Sequence, residues 1–518
     1  MKLRSSARRV TSLPNLDTQV ADNNSATSKA LRNPLVLDVV FAQLNNSDLK
    51  VARLVCREWG DVGASLLGKR AFLDINKIFQ LKGTTLHLAT PVHEKLTRKL
   101  VIKEKFDPSV PANRTDDVIT NIFTELSFNL SEVTRDIEFY ITLKKLAIAF
   151  LNGLRTLKST QLQHISIYIH STNWNVNKAR IQSLQKLPVQ QNLTSMKFEI
   201  PADTRKWGSG IHTFQPVLQV LIDSAPNLTS LDVTASFCPN LEGCKNLKVL
   251  KFCFENCNHG ACRNFDVATT TVTTMLTPVR DSLIELELSY DVHKSQIGDQ
   301  VRNLDVPIMS NLISLTVNPG YVYIREFFDE KHIPKLRNLT LRDQYYVFAD
   351  LSTHLNFWRQ HRGVQFFVLQ ISGNYRINLQ HGEQIVHLFP AVKKLDATVS
   401  INSNLAPEVM SPFHLWDLEE ARLVVRNVCV ASEMARVLKH VANWKGVKRV
   451  NFENTYIKQD AIAACCQDII LYSRGLQKVE ISGRVIPEVL EVVRPIFEAG
   501  GVPVELKGGV YRKHGILY

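Results

Sequence analysis

The sequence predicts an α/β chain: a short helical module followed by a long solenoid of parallel strands, with helices on the outside of the curve. Three observations predict it. The phrase L-x-x-L-x-L returns through much of the 518 residues. Segments with helical spacing lie between its copies. Residues 33–63 carry an apolar helical pattern too dense for thirty residues to bury alone.

Residues 1–30 come first in the chain. MKLRSSARRVTSLPNLDTQVADNNSATSKA is polar and basic, and it reads as a disordered tail. Its lack of an apolar segment argues against a secretory signal. Arg8-Arg9-Val10-Thr11-Ser12 is similar to a basophilic kinase site.

Residues 31–72 form the helical module. In NPLVLDVVFAQLNNSDLKVARLVCREWGDVG, Phe41 and Leu44 lie three apart, Leu49 follows, and Leu54, Val55, Cys56 and Trp59 close the run. Spacings of three and four put such side chains on shared helix faces. Asn46, Ser47 and Asp48 interrupt the pattern, as a turn ending in an N-cap would. Two or three short helices are expected, with surplus apolar surface that needs a partner.

The order of these residues resembles the F-box. Pro34, Val36-Leu37, Val40-Phe41, Leu44, Asp48-Leu49, Leu54-Val55-Cys56 and Trp59 stand where that family's pattern has its anchors. The N-terminal half departs from it. Asn33 replaces the usual Leu, no Glu follows Pro34, and Pro34 sits one residue nearer to Phe41. The resemblance implies docking onto the adaptor subunit of an SCF-type ubiquitin ligase, and through it onto a cullin. It assigns Pro34, Leu35, Leu37, Phe41, Leu44, Leu49, Leu54, Val55, Cys56 and Trp59 to the module's core and adaptor face, some of them packing inward.

Residues 73–510 carry the repeat. Its first position is Leu162, Leu193, Leu228, Leu247, Leu283, Leu312 and Leu336, with looser copies at Val364, Val392, Leu418, Val447 and Leu476. Eleven intervals average about 28.5 residues, and the last five are 28, 28, 26, 29 and 29. Weaker copies run back through residues 134 and 99. In a strand, positions four and six face one side, and position one closes the turn into it. Position eleven returns to the core at Cys238, Cys257, Val322, Tyr346, Val428, Ile457 and Ile486. Helical spacing is clearest over 214–227, 382–391, 433–444 and 460–473, and residues 490–508 read as a last helix and edge strand. The clearest repeats span 162–486, and residues 511–518 form a C-terminal tail.

A strand and a helix recurring at this period resemble the leucine-rich repeat, in the longer variety found in F-box proteins. Each unit then stacks only on its neighbours. Asn-x-Ser/Thr sequons at Asn192, Asn227 and Asn338 are explained by the repeat, because each lies beside its strand phrase.

Composition narrows the function classes. The formal charge is +13, with 45% hydrophobic and 21% charged residues. Basic clusters lie in the tail and at Lys95–Lys105, without base-stacking or zinc-finger spacing, so no nucleic acid is expected. No run of eighteen apolar residues is present, so no membrane-spanning helix is expected. Nine cysteines without a secretory signal are expected to be reduced thiols in the cytoplasm or nucleus. Residues 63–70, GASLLGKR, nearly spell a phosphate loop, but Arg70 stands where a hydroxyl must reach magnesium. Cys253, Cys257, His259 and Cys262 have no familiar zinc spacing, so neither metal nor cofactor is expected.

No nucleophile, metalloprotease or kinase signature occurs. The F-box resemblance implies a non-catalytic receptor that holds a protein substrate close to a ubiquitin-conjugating enzyme. Outward strand positions have mixed charge. Tyr321, Tyr323, Arg342, Tyr345 and Phe366 form a local aromatic group with an Arg, the usual composition of a binding anchor. The substrate's identity is not encoded. A repeat scaffold with no ligase role, or a small-molecule sensor, are the competing readings.

Overall fold

The computed structural model describes residues 29–518, apart from 76–77, 83–84, 89–91, 104–118, 120–121, 123–132, 142–143, 158–160, 170–183, 201–213, 256–271, 292–306, 318–328, 343–354, 357, 372–378, 401–406, 429–430, 456–458, 484–486, 502–503, 509–511, 514–515 and 518. The chain divides into two compact units. The first comprises residues 1–73 and 91–99, and the second residues 74–90 and 100–518.

The first unit is built on helices α1 (Pro34–Ala42), α2 (Asn46–Ala52) and α3 (Arg57–Arg70). Each start has a local cause. Asn33 caps α1 by accepting the Leu35 amide at 2.9 Å, and Pro34 supplies a preset φ in the first turn. The polar residue that departs from the family pattern is thus a helix cap. Asn45 caps α2, accepting the Ser47 and Asp48 amides at 2.9 and 3.0 Å. The break after Leu44 is therefore shorter than expected: Asn46, Ser47 and Asp48 are the first turn of α2, and Asn45 is the cap.

The core of this unit is Leu37, Phe41, Leu49, Ala52, Leu66 and Leu67, with Leu44, Trp59, Val62 and Leu96 packed against it. Trp59 meets Phe41 edge-on at 5.1 Å, and its indole N–H donates to the Leu31 carbonyl at 2.7 Å. The near phosphate loop is plain helix, since residues 63–70 all lie within α3. Gly68 has a packing role, because a Cβ there would stand 1.8 Å from the Lys95 carbonyl oxygen. Arg70 reaches back to the Ala42 and Leu44 carbonyls at 2.6 and 2.7 Å, supplying donors at the C-terminal end of α1. Residues Pro91–Lys99 belong to this unit, so the basic run at 95–105 straddles the two units.

In the second unit a single sheet dominates. Its sixteen strands run in the order β1 (Leu73–Asp74), β4 (Lys99–Ile102), β5 (Asp136–Ile141), β6 (His164–Ile169), β7 (Ser195–Glu199), β8 (Ser230–Ala235), β9 (Val249–Glu255), β10 (Glu285–Asp291), β11 (Ser314–Val317), β12 (Asn338–Arg342), β13 (Phe366–Ile371), β14 (Lys394–Ser400), β15 (Glu420–Arg426), β16 (Val447–Thr455), β17 (Lys478–Gly483) and β18 (Val504–Gly508). Strands β2 (Phe79–Lys82) and β3 (Thr85–Leu88) form a separate antiparallel pair, as do β19 (Arg512–Lys513) and β20 (Ile516–Leu517). Every pair from β5 to β10 is parallel. So is every pair from β10 to β18. Such an order, each strand beside its sequence neighbour, is that of a solenoid.

The repeat phrase explains the sheet. All twelve first positions, from Leu162 to Leu476, are buried. So are positions four and six of every copy, from Ile165 and Ile167 to Val479 and Ile481. The weak copies at residues 134 and 99 are strands β5 and β4 of the same sheet. Cys238 and Val428 are buried at position eleven, while Cys257, Val322, Tyr346, Ile457 and Ile486 lie outside the described residues. Successive amides at positions two and three share one carbonyl of the preceding repeat. Thr194 and Ser195 share that of Gln163, and Glu419 and Glu420 share that of Lys393. Two asparagines before the first Leu bridge repeats. Asn227 donates to the Gln191 carbonyl at 2.9 Å, and Asn311 to that of Asp281 at 2.7 Å.

Helices α4 (Lys144–Thr156), α5 (Gln215–Asp223), α6 (Leu379–Leu388), α7 (Ala431–Val441), α8 (Gln459–Ser473) and α9 (Pro487–Ala499) lie between strands. Val217, Leu218, Leu221 and Ile222 are the buried stripe of α5. Between β15 and β16 the beat slips. Leu395 pairs Ala421 and Val450 pairs Val479, position four with position four, yet Leu423 pairs Val450, position six with four. A slip of two residues keeps every inward side chain inward, which a slip of one would not. Gly446 sits at this irregularity with φ +73°, and its carbonyl accepts the Ala421 amide at 3.1 Å. A Cβ there would stand 2.5 Å from the Leu418 carbonyl oxygen. Among the described residues no helix is long and apolar enough to cross a membrane.

Candidate protein-interaction site

Helix α1, PLVLDVVFA, is apolar almost all round, with Asp38 its one polar residue. A helix of this kind is ordinarily buried on every side. Here only one side is. Leu37 and Phe41, four apart, are 0% and 1% exposed and face the core. Leu35 and Val39, also four apart, are 79% and 68% exposed, and Val36 and Val40 flank them on the same open side. Other apolar side chains of this unit are open too: Val51 at the end of α2, Leu54 and Val55 in the turn to α3, and, less so, Leu31 and Phe72. That turn is ordered by the Leu54 and Val55 amides, which donate to the Val51 and Ala52 carbonyls at 3.0 and 3.1 Å.

The ten sequence-assigned residues therefore split by burial. Leu37, Phe41 and Leu49 are core, so a docked partner cannot reach them. Leu44 and Trp59 are part-buried against that core. Pro34, Leu35, Leu54, Val55 and Cys56 are exposed. Spacing alone missed Val39 and Val51, because α1 offers apolar residues in every direction and the choice between them is tertiary. At one margin of the unit His93 Nε2 lies 2.8 Å from Asp61 Oδ1. Hydrogen bonding from His93, then the Lys95 charge, holds the Asp61 carboxyl below its ordinary value.

On the second unit the functional candidates are the outward strand positions three, five and seven. They are knit into cross-strand ion pairs. Lys251 lies 3.9 Å from Glu285 and 4.0 Å from Glu287, and Arg422 is 3.5 Å from Asp396; one step further along the strand, Arg426 is 2.9 Å from Glu453. Arg342, assigned to substrate binding, is already engaged. Its guanidinium donates to Glu287 two strands away at 2.9 Å and to Gln370 at 3.1 Å. Phe366 is half-buried on the same face. Tyr321, Tyr323 and Tyr345 lie outside the described residues.

A second aromatic group, not anticipated from sequence, lies on the early strands. Tyr140 and Tyr168 stack at 5.0 Å, with Lys103 over one ring at 5.7 Å and Lys197 over the other at 5.1 Å. The Tyr140 hydroxyl donates to Glu138, and burial followed by that carboxylate pushes the phenol pKa up. Burial likewise raises the Asp232 carboxyl, against the pull of Lys197 and Lys251. The two tyrosines are register partners on β5 and β6, and only register brings them together.

Among the described residues no cluster of His, Cys, Asp and Glu could hold a metal ion. Cys253 is half-buried, and Cys257, His259 and Cys262 lie outside the described residues. The site's chemistry is that of surfaces, apolar on one unit and charge-paired on the other. No family model matches the chain, and no curated protein matches it.

Proposed function

We propose that this chain is the substrate-recognition subunit of an SCF-type ubiquitin ligase. The helical unit docks the adaptor, and through it the cullin, while the sheet face of the repeat unit holds a protein substrate. One observation carries the reading: a helix apolar but for Asp38, whose Leu35 and Val39 are largely exposed and whose Val36 and Val40 are partly so, beside open Val51, Leu54 and Val55. Leaving such surface in water is unfavourable, and a partner that buries it gains about 25 cal/mol per Å2. The resemblance of residues 33–63 to the F-box says which partner. Contribution to catalysis is by proximity, holding a substrate lysine where a charged conjugating enzyme can reach it.

The test is affinity capture from cells with the proteasome inhibited, comparing the intact chain with a deletion of residues 33–63. Adaptor and cullin recovered with the intact chain alone support the reading. Equal recovery with both, or with neither, rejects it.

A further inference from the structure

The sheet face of the second unit has a groove of about 510 Å3 across β12 to β15. Its charges do not cancel. Asp396 is paired to Arg422 at 3.5 Å, Glu419 to Lys393 at 2.9 Å and Glu420 to Lys394 at 3.4 Å. All three carboxylates in the lining thus have a cation. The fourth cation in the lining, Arg337, is exposed and makes no ion pair among the described residues. Next to it the register sets Phe366 beside Asn338, and Phe366 is the aromatic side chain in the lining. The outward positions on the adjoining strands, Ser314, Thr316, Asn338 and Thr340, carry no charge but can donate and accept hydrogen bonds.

We infer that this groove holds an extended peptide that sets a hydrophobic side chain on Phe366 and a carboxylate against Arg337. It rests on the proposal that the sheet face receives a protein substrate, and it names that substrate's class. Three features select this occupant. A basic peptide meets the Arg337 guanidinium, which makes no ion pair among the described residues, and like charges held close together repel. A wholly apolar peptide leaves the guanidinium covered and without a partner, which is costly. An acid beside a hydrophobic residue satisfies both, because a guanidinium binds a carboxylate through two parallel hydrogen bonds. Adjacent strands are about 4.8 Å apart, so the two anchors suit peptide residues that are neighbours or one apart. The row of hydroxyl and amide side chains then faces the peptide backbone.

The experiment pans phage-displayed random twelve-residue peptides on the purified full chain with no adaptor present. Enriched peptides are expected to place an aliphatic or aromatic residue within two positions of Asp or Glu. A synthetic peptide of the enriched sequence should bind the Phe366→Ala and Arg337→Glu variants at least tenfold more weakly. Changing its acid to Lys should restore binding to Arg337→Glu and abolish it for the native chain. No enrichment, enrichment without the acidic–hydrophobic pair, or binding untouched by Arg337→Glu overturns the inference. Arg337 is exposed, so that variant decides the matter even where Phe366→Ala lowers stability. Adaptor binding by the same preparation is scored separately, so loss of one activity with retention of the other shows which proposal has failed.

Discussion

Replacing Leu35 and Leu54 together by Ala separates docking from folding. Both residues are 79% exposed and take no part in the helical core. Each substitution deletes an apolar branch worth about 2.4 kcal/mol at about 0.8 kcal/mol per CH2. With four-fifths of each residue open in the free chain, docking can bury at most about 2 kcal/mol of that per side chain, so about 4 kcal/mol for the pair. Every 1.4 kcal/mol is a factor of about ten, so affinity for the adaptor should fall by roughly two to three orders of magnitude. Stability should move by no more than about 0.5 kcal/mol, since neither side chain fills a cavity. Leu49→Ala is the instructive contrast. That side chain is 0% exposed, and its truncation should cost about 2–5 kcal/mol of the helical unit's stability and weaken docking only through unfolding. Titration calorimetry against purified adaptor, with thermal melts of each variant, reads both quantities. A double variant that binds as tightly as the native chain refutes the reasoning.

Arg70→Ala removes both donors to the Ala42 and Leu44 carbonyls and should destabilise the helical unit by about 1–2 kcal/mol, seen as faster amide exchange over residues 41–45. An unchanged exchange rate there contradicts the role given to Arg70. Gly446→Ala forces a Cβ into a left-handed position against the Leu418 carbonyl and should cost about 1–3 kcal/mol in denaturant unfolding. Gly243→Ala, where a Cβ meets nothing within 4 Å, serves as the neutral control, and an equal loss at both positions removes the steric account. Burial pushes the Cys238 and Cys244 thiols up to about 12 from an ordinary 9.0. A raised folded value means stability that is complete below pH 9.0 and is lost as pH climbs towards about 12. The melting temperature should therefore fall over that window more steeply in the native chain than in Cys238→Ala/Cys244→Ala; identical slopes count against it.

The repeat was legible because its code is local. A phrase with apolar residues at one, four and six specifies a strand with one buried face, and the structure buries all three positions in every copy from Leu162 to Leu476. The two-residue slip after β15 was not legible. Leu418 and Val447 both look like first positions, and only the pairing of Leu423 with Val450 reveals the change of phase. On the helical unit, Phe41 and Leu37 could not be told from Leu35 and Val39 by spacing, since both pairs are four apart on a helix that is apolar but for Asp38. The cap of α2 was displaced for a related reason: Asn45, Asn46, Ser47 and Asp48 are all competent caps, so the choice belongs to the geometry of the turn. Membership of Pro91–Lys99 in the helical unit goes with long-range contacts that have no local signal: Lys95 against Gly68, Leu96 on the helical core and His93 on Asp61. The pairing of Arg342 with Glu287, and the stacking of Tyr140 on Tyr168, are likewise products of register between distant segments.

Hydrogen–deuterium exchange of the full chain, with and without purified adaptor, tests the central claim most directly. The account predicts new protection in the peptides covering Leu35–Val40 and Val51–Cys56, with the buried Leu66–Leu67 segment of α3 little changed. Adaptor at saturating concentration that leaves both exposed segments exchanging at the free rate contradicts it.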